Sequence, residues 1–218
     1  MVAALMCMVI GLSAACGTAA TTASSPPAAA AGGAGSNARS GPASGGASGT
    51  VASTSGSGFT MSTSTGQKVI VDETSTTSYQ SGTSSTSASA ITTGEVVLVF
   101  GLTSGTTITA AQVIVQPTAD GGSVTSSAEE GVVPFQPGAP TASKQVGQIP
   151  ANYSQGSGTI VSGTTAYEAT GAALAAYPGG IIDRVVQLSN GAYEVHNIGV
   201  NWPHHIFVNQ DFKVVGAN

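Results

Sequence analysis

Apolar side chains alternate with Thr and Ser in the first half of the chain, as in Phe59-Thr60-Met61, followed by Val69-Ile70-Val71, and this period of two predicts half-buried strands. Thr65-Gly66 supplies a hairpin turn between them. Longer strands are expected over residues 94–102 and 107–116, and the unbroken run Val96-Val97-Leu98-Val99-Phe100 predicts a strand buried on both sides or at a barrel seam. Residues 81–93 between them read as a polar loop. The period then changes. Tyr167, Gly171, Leu174 and Tyr177 recur at helical spacing, Thr165-Ala166-Tyr167-Glu168 has the spacing of a reciprocal N-cap, and Tyr177-Pro178-Gly179-Gly180 stops the helix. The stripe is expected to be core packing. Beyond it, residues 181–188 and 192–200 read as a hairpin about Ser189-Asn190-Gly191. Asn201-Trp202-Pro203 interrupts the pattern, residues 204–209 resume it, and a last strand covers 212–215 after Gln210-Asp211. One helix on an antiparallel sheet is the economical architecture for this half.

Composition separates these patterned regions. Residues 16–49 are almost wholly Ala, Gly, Ser, Thr and Pro, which predicts a disordered tether spanning roughly 30 Å as a random coil. Residues 118–158, punctuated by Pro134, Pro137, Pro140 and Pro150, read as a second linker. The expected layout is therefore a signal peptide over 1–15, the tether over 16–49, a β module over 50–117, the linker over 118–158 and an α+β module over 159–218.

The apolar run from Val2 to Leu12 is long enough for an export signal and too short to span a bilayer. Leu12-Ser13-Ala14-Ala15-Cys16 resembles a bacterial lipoprotein cleavage site, which implies lipidation (palmitate among the acyl chains) at Cys16 and an extracytoplasmic protein anchored to the cell membrane. Ordinary secretion with cleavage among the alanines is the alternative. The absence of Lys or Arg before the run points to a start assigned too far downstream. Cys7 and Cys16 are the only cysteines, so the mature chain holds neither a disulfide framework nor a cysteine metal site. With 7% charged residues and a net charge of −5, nucleic acid is not an expected partner.

Gly49-Thr50-Val51, Phe59-Thr60-Met61 and Ala111-Gln112-Val113-Ile114-Val115 resemble the opening, second and closing strands of a small, uncharacterised OB-like barrel of secreted bacterial proteins. Such barrels bind oligonucleotides or oligosaccharides across one face, but this one offers few aromatics, and Phe59 and Phe100 are expected in the core. The second module resembles the PepSY-like family, through its Ala-rich helix closed by Pro178-Gly179-Gly180, then Val185-Val186, Tyr193-Glu194-Val195 and an apolar strand before an acidic turn. It departs from that pattern at Asn201-Trp202-Pro203-His204-His205. The fold expected is mainly β plus a small α+β part: a Thr/Ser-rich OB-like β-barrel, then a helix on an antiparallel sheet. The PepSY-like resemblance implies a regulatory or inhibitory module that touches peptidases or other envelope proteins.

Candidate chemistry concentrates near the C-terminus. Trp202, the only Trp, with His204 and His205 forms a candidate contact for a partner. His196, His204 and His205 are candidate metal ligands, with Glu194 or Asp211 as a third donor, although adjacent strand residues point to opposite faces and so discount the His204–His205 pair. No Gly-X-Ser-X-Gly elbow, no held pair of carboxylates and no phosphate-cradling loop is present. No catalytic residue and no cofactor is expected. The reading is a cell-envelope lipoprotein with a non-catalytic binding or regulatory role towards an envelope protein or peptide. A structural spacer at the surface, or extracytoplasmic metal binding through the histidines, is the alternative.

Overall fold

The computed structural model describes residues 41–117, 127–139 and 143–218, so Cys16, the apolar start and most of the expected tether lie outside the described residues. Among those described, no helix is long and apolar enough to cross a membrane. In chain order the strands are β1 (Ala43–Ser55), β2 (Gly58–Ser62), β3 (Lys68–Asp72), β4 (Ser78–Ser81), β5 (Ser84–Ser85), β6 (Val96–Ser104), β7 (Thr107–Val115), β8 (Val133–Pro134), β9 (Val146–Gly147) and β10 (Thr159–Ile160). The helix α1 (Gly163–Ala176) follows, then β11 (Ile181–Gln187), β12 (Tyr193–Ile198), β13 (Val200–Trp202), β14 (His205–Val208) and β15 (Val214–Ala217).

Five strands close a barrel in the order β1-β2-β3-β7-β6 and back to β1. All its seams are antiparallel except β3–β7, where Ile70 lies opposite Thr107 and Val71 opposite Ile108 in parallel register. This is a β-rich fold consistent with an OB-like barrel. Alternation along each strand sends Phe59, Met61, Val69, Val71, Val97, Val99, Ile108 and Val113 into one apolar interior. The run Val96–Phe100 is buried on both faces as its composition predicts: Val97 and Val99 fill the barrel, Leu98 packs into the second core, and Phe100 stacks on Tyr167 of α1 with ring centroids 5.3 Å apart.

A second core lies between α1 and β11, β12 and β14, with Ala166, Ala169, Ala173 and Leu174 against Val185, Val195, Ile206 and Val208. The helix starts two residues before Thr165. Ser162 holds the N-cap position in an extended conformation without a side-chain capping bond. The buried stripe also differs from the expected one, because alanines let the helix backbone approach the sheet closely. Tyr167, Gly171 and Tyr177 are moved to its flanks, where Gly171 faces the Phe100 ring and Tyr177 meets Trp202 edge-on at 5.4 Å.

Two expected boundaries are displaced. Residues 43–49, expected at the end of the tether, form the first half of β1 and are largely buried. Their small size is what the position requires, since this half of β1 pairs with β6 on one edge and, at Gly46 and Ala47, with β11 on the other. A Cβ at Gly45 would collide with the Ile182 carbonyl, and one at Gly46 with the Val99 carbonyl. Likewise, the segment expected as a second linker contributes β8, which pairs with β13, and β9, which pairs with β15. Residues 118–126 and 140–142 of it lie outside the described residues. The polar loop over 81–93 holds the short β5 and a 3₁₀ turn at Ala88–Ala90. All described residues fall in one compact unit, and one sheet runs through both regions that composition sets apart as modules.

Candidate functional site

Register assembles the site. On their face turned away from α1, β11, β12 and β14 bring Arg184, His196 and His205 into one row and Val186, Glu194 and Phe207 into the next. A bulge between Ile182 and Arg184 adds Asp183 to the same neighbourhood. His204 precedes β14, yet its ring lies on the same side as its neighbour's. The ring centroids of His196, His204 and His205 are 5.3 Å (His196–His205) and 6.5 Å (the other two pairs) apart. The alternation argument against the His204–His205 pair fails here because His204 lies outside the regular strand, and the backbone N–H groups of both residues donate to the Asn218 carbonyl. All three histidines of the chain are therefore neighbours.

Each imidazole is fixed through the same atom. His196 Nδ1 donates to Asp183 Oδ1 at 2.6 Å, His205 Nδ1 to Glu194 Oε1 at 2.7 Å, and His204 Nδ1 to the Asn197 carbonyl at 3.1 Å. Ionised carboxylates and carbonyls only accept, so these bonds place the proton on Nδ1 and leave Nε2 with its lone pair in the neutral ring. No hydrogen bond among the described residues engages an Nε2 of the three. Glu194 is 2% exposed and is held by His205. Asp183 is shared between His196 and Arg184, whose Nη1 lies 3.1 Å from Oδ2. Burial lowers the His204 pKa below the ordinary histidine value, opposed by the bond to the Asn197 carbonyl and reinforced by the two neighbouring histidines.

Tyr153 closes one side. Its hydroxyl is 3.0 Å from His205 Nδ1 and its ring meets Phe207 edge-on at 4.8 Å. Burial, then the charge of Glu194, raises its pKa well above the usual tyrosine range, against a lowering by Arg184. The same residue lines a cleft of about 580 Å³ between the 150–159 segment and the 187–190 turn, with Asn152, Thr159, Gln187, Ser189 and Asn190 among the walls and no charged side chain. Tyr153 thus connects the polar cluster to an open, uncharged cleft.

Trp202 has a different place from the one expected. Its side chain is 1% exposed, its indole N–H donates to the Lys144 carbonyl at 2.9 Å, and Lys144 Nζ sits 4.1 Å over the ring. An aromatic this deeply covered is a packing element, so the contact surface expected at Trp202 reduces to His204 and His205. As the only tryptophan it reports this directly: its fluorescence is expected to be blue-shifted and shielded from acrylamide in the native state, and a red-shifted, readily quenched emission would contradict the burial. Asp211, named as a third metal donor, stands in the exposed turn before β15, where its N–H bonds Asn209 Oδ1 at 3.0 Å; it makes no contact with the histidines among the described residues. Glu194 reaches His205, but as the acceptor of its Nδ1–H. Among the described residues, no group of three or more His, Cys, Asp or Glu side chains is gathered closely enough to hold a metal ion as it stands.

Sequence reasoning misses Asp183 and Arg184 as members of the site and gives no role to Tyr153. The first two are within its reach, since a hairpin about Asn190-Gly191 sets residue 184 nearly opposite 196. Nothing in the sequence marks Tyr153, which arrives from a loop. No family model, no curated protein and no solved structure matches the chain.

Proposed function

We propose that this chain is an extracytoplasmic lipoprotein, anchored through Cys16, with a non-catalytic binding role, and that the histidine–carboxylate cluster with the adjoining cleft is where it takes a peptide or protein segment of the envelope. One observation carries the placement: in a chain with 7% charged residues, all three histidines, a buried glutamate and an Asp–Arg pair meet on one sheet face beside an open cleft. Polar groups buried at such density are expensive to desolvate and are a hallmark of functional sites. The anchor rests on the Leu12–Cys16 resemblance, and the regulatory or inhibitory flavour of the role on the PepSY-like order of helix, hairpin and apolar strand. The cleft, walled by amides and hydroxyls, offers donors and acceptors to an extended backbone without imposing a charge.

A photo-crosslinking amino acid in place of Asn152 tests the placement on intact cells. A discrete adduct at position 152, absent when the probe replaces the exposed Ser84 and weakened by His204→Ala, is the expected result. No adduct at 152, or the same adducts at 84, contradicts the reading.

A further inference from the structure

We infer that the three histidines form a site for a divalent transition-metal ion of the zinc or copper class, held by their Nε2 atoms. The inference goes beyond the peptide-binding reading, giving the same histidine cluster a ligand of its own, and does not depend on the cleft being occupied. Metal-bound imidazoles nearly always donate their other ring N–H to a carboxylate, a carbonyl or water, which fixes the tautomer and aims the free nitrogen. All three histidines have that support already, from Asp183, Glu194 and the Asn197 carbonyl. Two of the three supporting groups are anionic, and they offset the charge of a bound dication.

Spacing suits a shared ion for one pair of rings and leaves the third farther out. Two imidazoles on one tetrahedral ion at metal–nitrogen distances of about 2.0–2.1 Å have ring centroids roughly 5 Å apart. The His196–His205 pair stands at 5.3 Å, and both pairs that include His204 at 6.5 Å. His204 is the outlying ring of the three, tied to the Asn197 carbonyl of β12 and not to a carboxylate. Among the described residues no donor set is gathered closely enough to hold an ion as it stands, so binding has to draw the rings together. The side chains of His196 and His205 are 14% and 12% exposed, so the cluster is sheltered but open to a small ion. Neutral imidazole suits zinc, copper and nickel better than calcium or magnesium, which take oxygen ligands.

The test is titration of the untagged full-length chain with Zn²⁺ alone and with Cu²⁺ alone, by calorimetry, thermal unfolding and, for Cu²⁺, electron paramagnetic resonance. One equivalent should bind, raise the melting temperature, and give a Cu²⁺ spectrum with nitrogen hyperfine structure. His196→Ala and His204→Ala should each weaken binding at least tenfold, and Asp183→Asn about 10–100-fold, the range for losing a supporting carboxylate. Each variant's far-UV circular dichroism and metal-free melting temperature establish that it folds. If one of them does not fold, the remaining two decide. Absence of stoichiometric binding, or affinity unchanged in the folded variants, overturns the metal site. Crosslinking at position 152 is scored separately, so a persisting adduct with no metal bound leaves the peptide-binding reading standing, and metal binding without an adduct removes that reading alone.

Discussion

Gly46→Val is expected to lower the unfolding free energy by about 3 kcal/mol or more, a large part of the roughly 5–15 kcal/mol that holds a typical domain together. The strand β1 is the element common to the barrel and the β11–β12–β14 part of the sheet, and Gly46 lies where both claim it: opposite Phe100 on one side and Ile182 on the other. A side chain there runs into the Val99 carbonyl, a backbone atom of a paired strand that moves only if the β1–β6 seam opens. Urea unfolding followed by Trp202 fluorescence measures the effect, with Gly56→Val as the control. Gly56 lies at the β1–β2 turn, where a Cβ would meet no atom within 4 Å, and its substitution is expected to change stability by less than about 0.5 kcal/mol. Equal midpoints for the two variants would contradict the shared strand.

His205→Ala is the second large effect, about 3–5 kcal/mol at neutral pH, and its cause is what remains behind. Glu194 is almost fully buried, and His205 is the group that supports its carboxylate at 2.7 Å. Removing the imidazole strands that carboxylate next to Val186 and Phe207, its cross-strand neighbours. Substituting Glu194→Leu as well removes the buried charge, so the double variant is expected to recover much of the loss despite having one more change. The comparison is made by denaturant midpoints under one buffer condition. If the double variant is less stable than His205→Ala, the loss comes from packing around the imidazole, and Glu194 is not the group at stake.

The strands that are legible in the sequence are those whose two faces differ or whose burial is continuous. The alternation Phe59-Thr60-Met61 and the run Val96–Phe100 both reflect how much of a strand faces apolar surroundings, and both strands lie where the pattern puts them. The hairpin about Asn190-Gly191 is legible because Gly191, at φ 82°, occupies a backbone region that other residues rarely enter. Residues 43–49 mislead because low hydrophobicity has two causes. It marks a chain with nothing to bury, and it also marks a strand so tightly flanked that only Gly, Ala and Ser fit. Single-sequence composition does not separate the two; the carbonyls that crowd Gly45 and Gly46 come from residues 182 and 99.

The same distance limit applies to the site. His196, His204 and His205 are visible as a cluster, and Trp202 looks like an anchor because a lone Trp beside a Pro turn often is one. Its burial depends on Lys144 and Tyr177, which the sequence places 58 and 25 residues away. Tyr153 likewise joins the cluster from across 52 residues.

Three imidazoles held through Nδ1, each with Nε2 left open, define the site, and their tautomers can be observed directly. Long-range ¹⁵N–¹H correlation of the ¹⁵N-labelled, metal-free chain at neutral pH assigns the proton on each ring. All three histidines are predicted to carry a proton on Nδ1. The Nε2–H form that dominates in free histidine, found at His196 or His205, would contradict the carboxylate bonds on which the site is built.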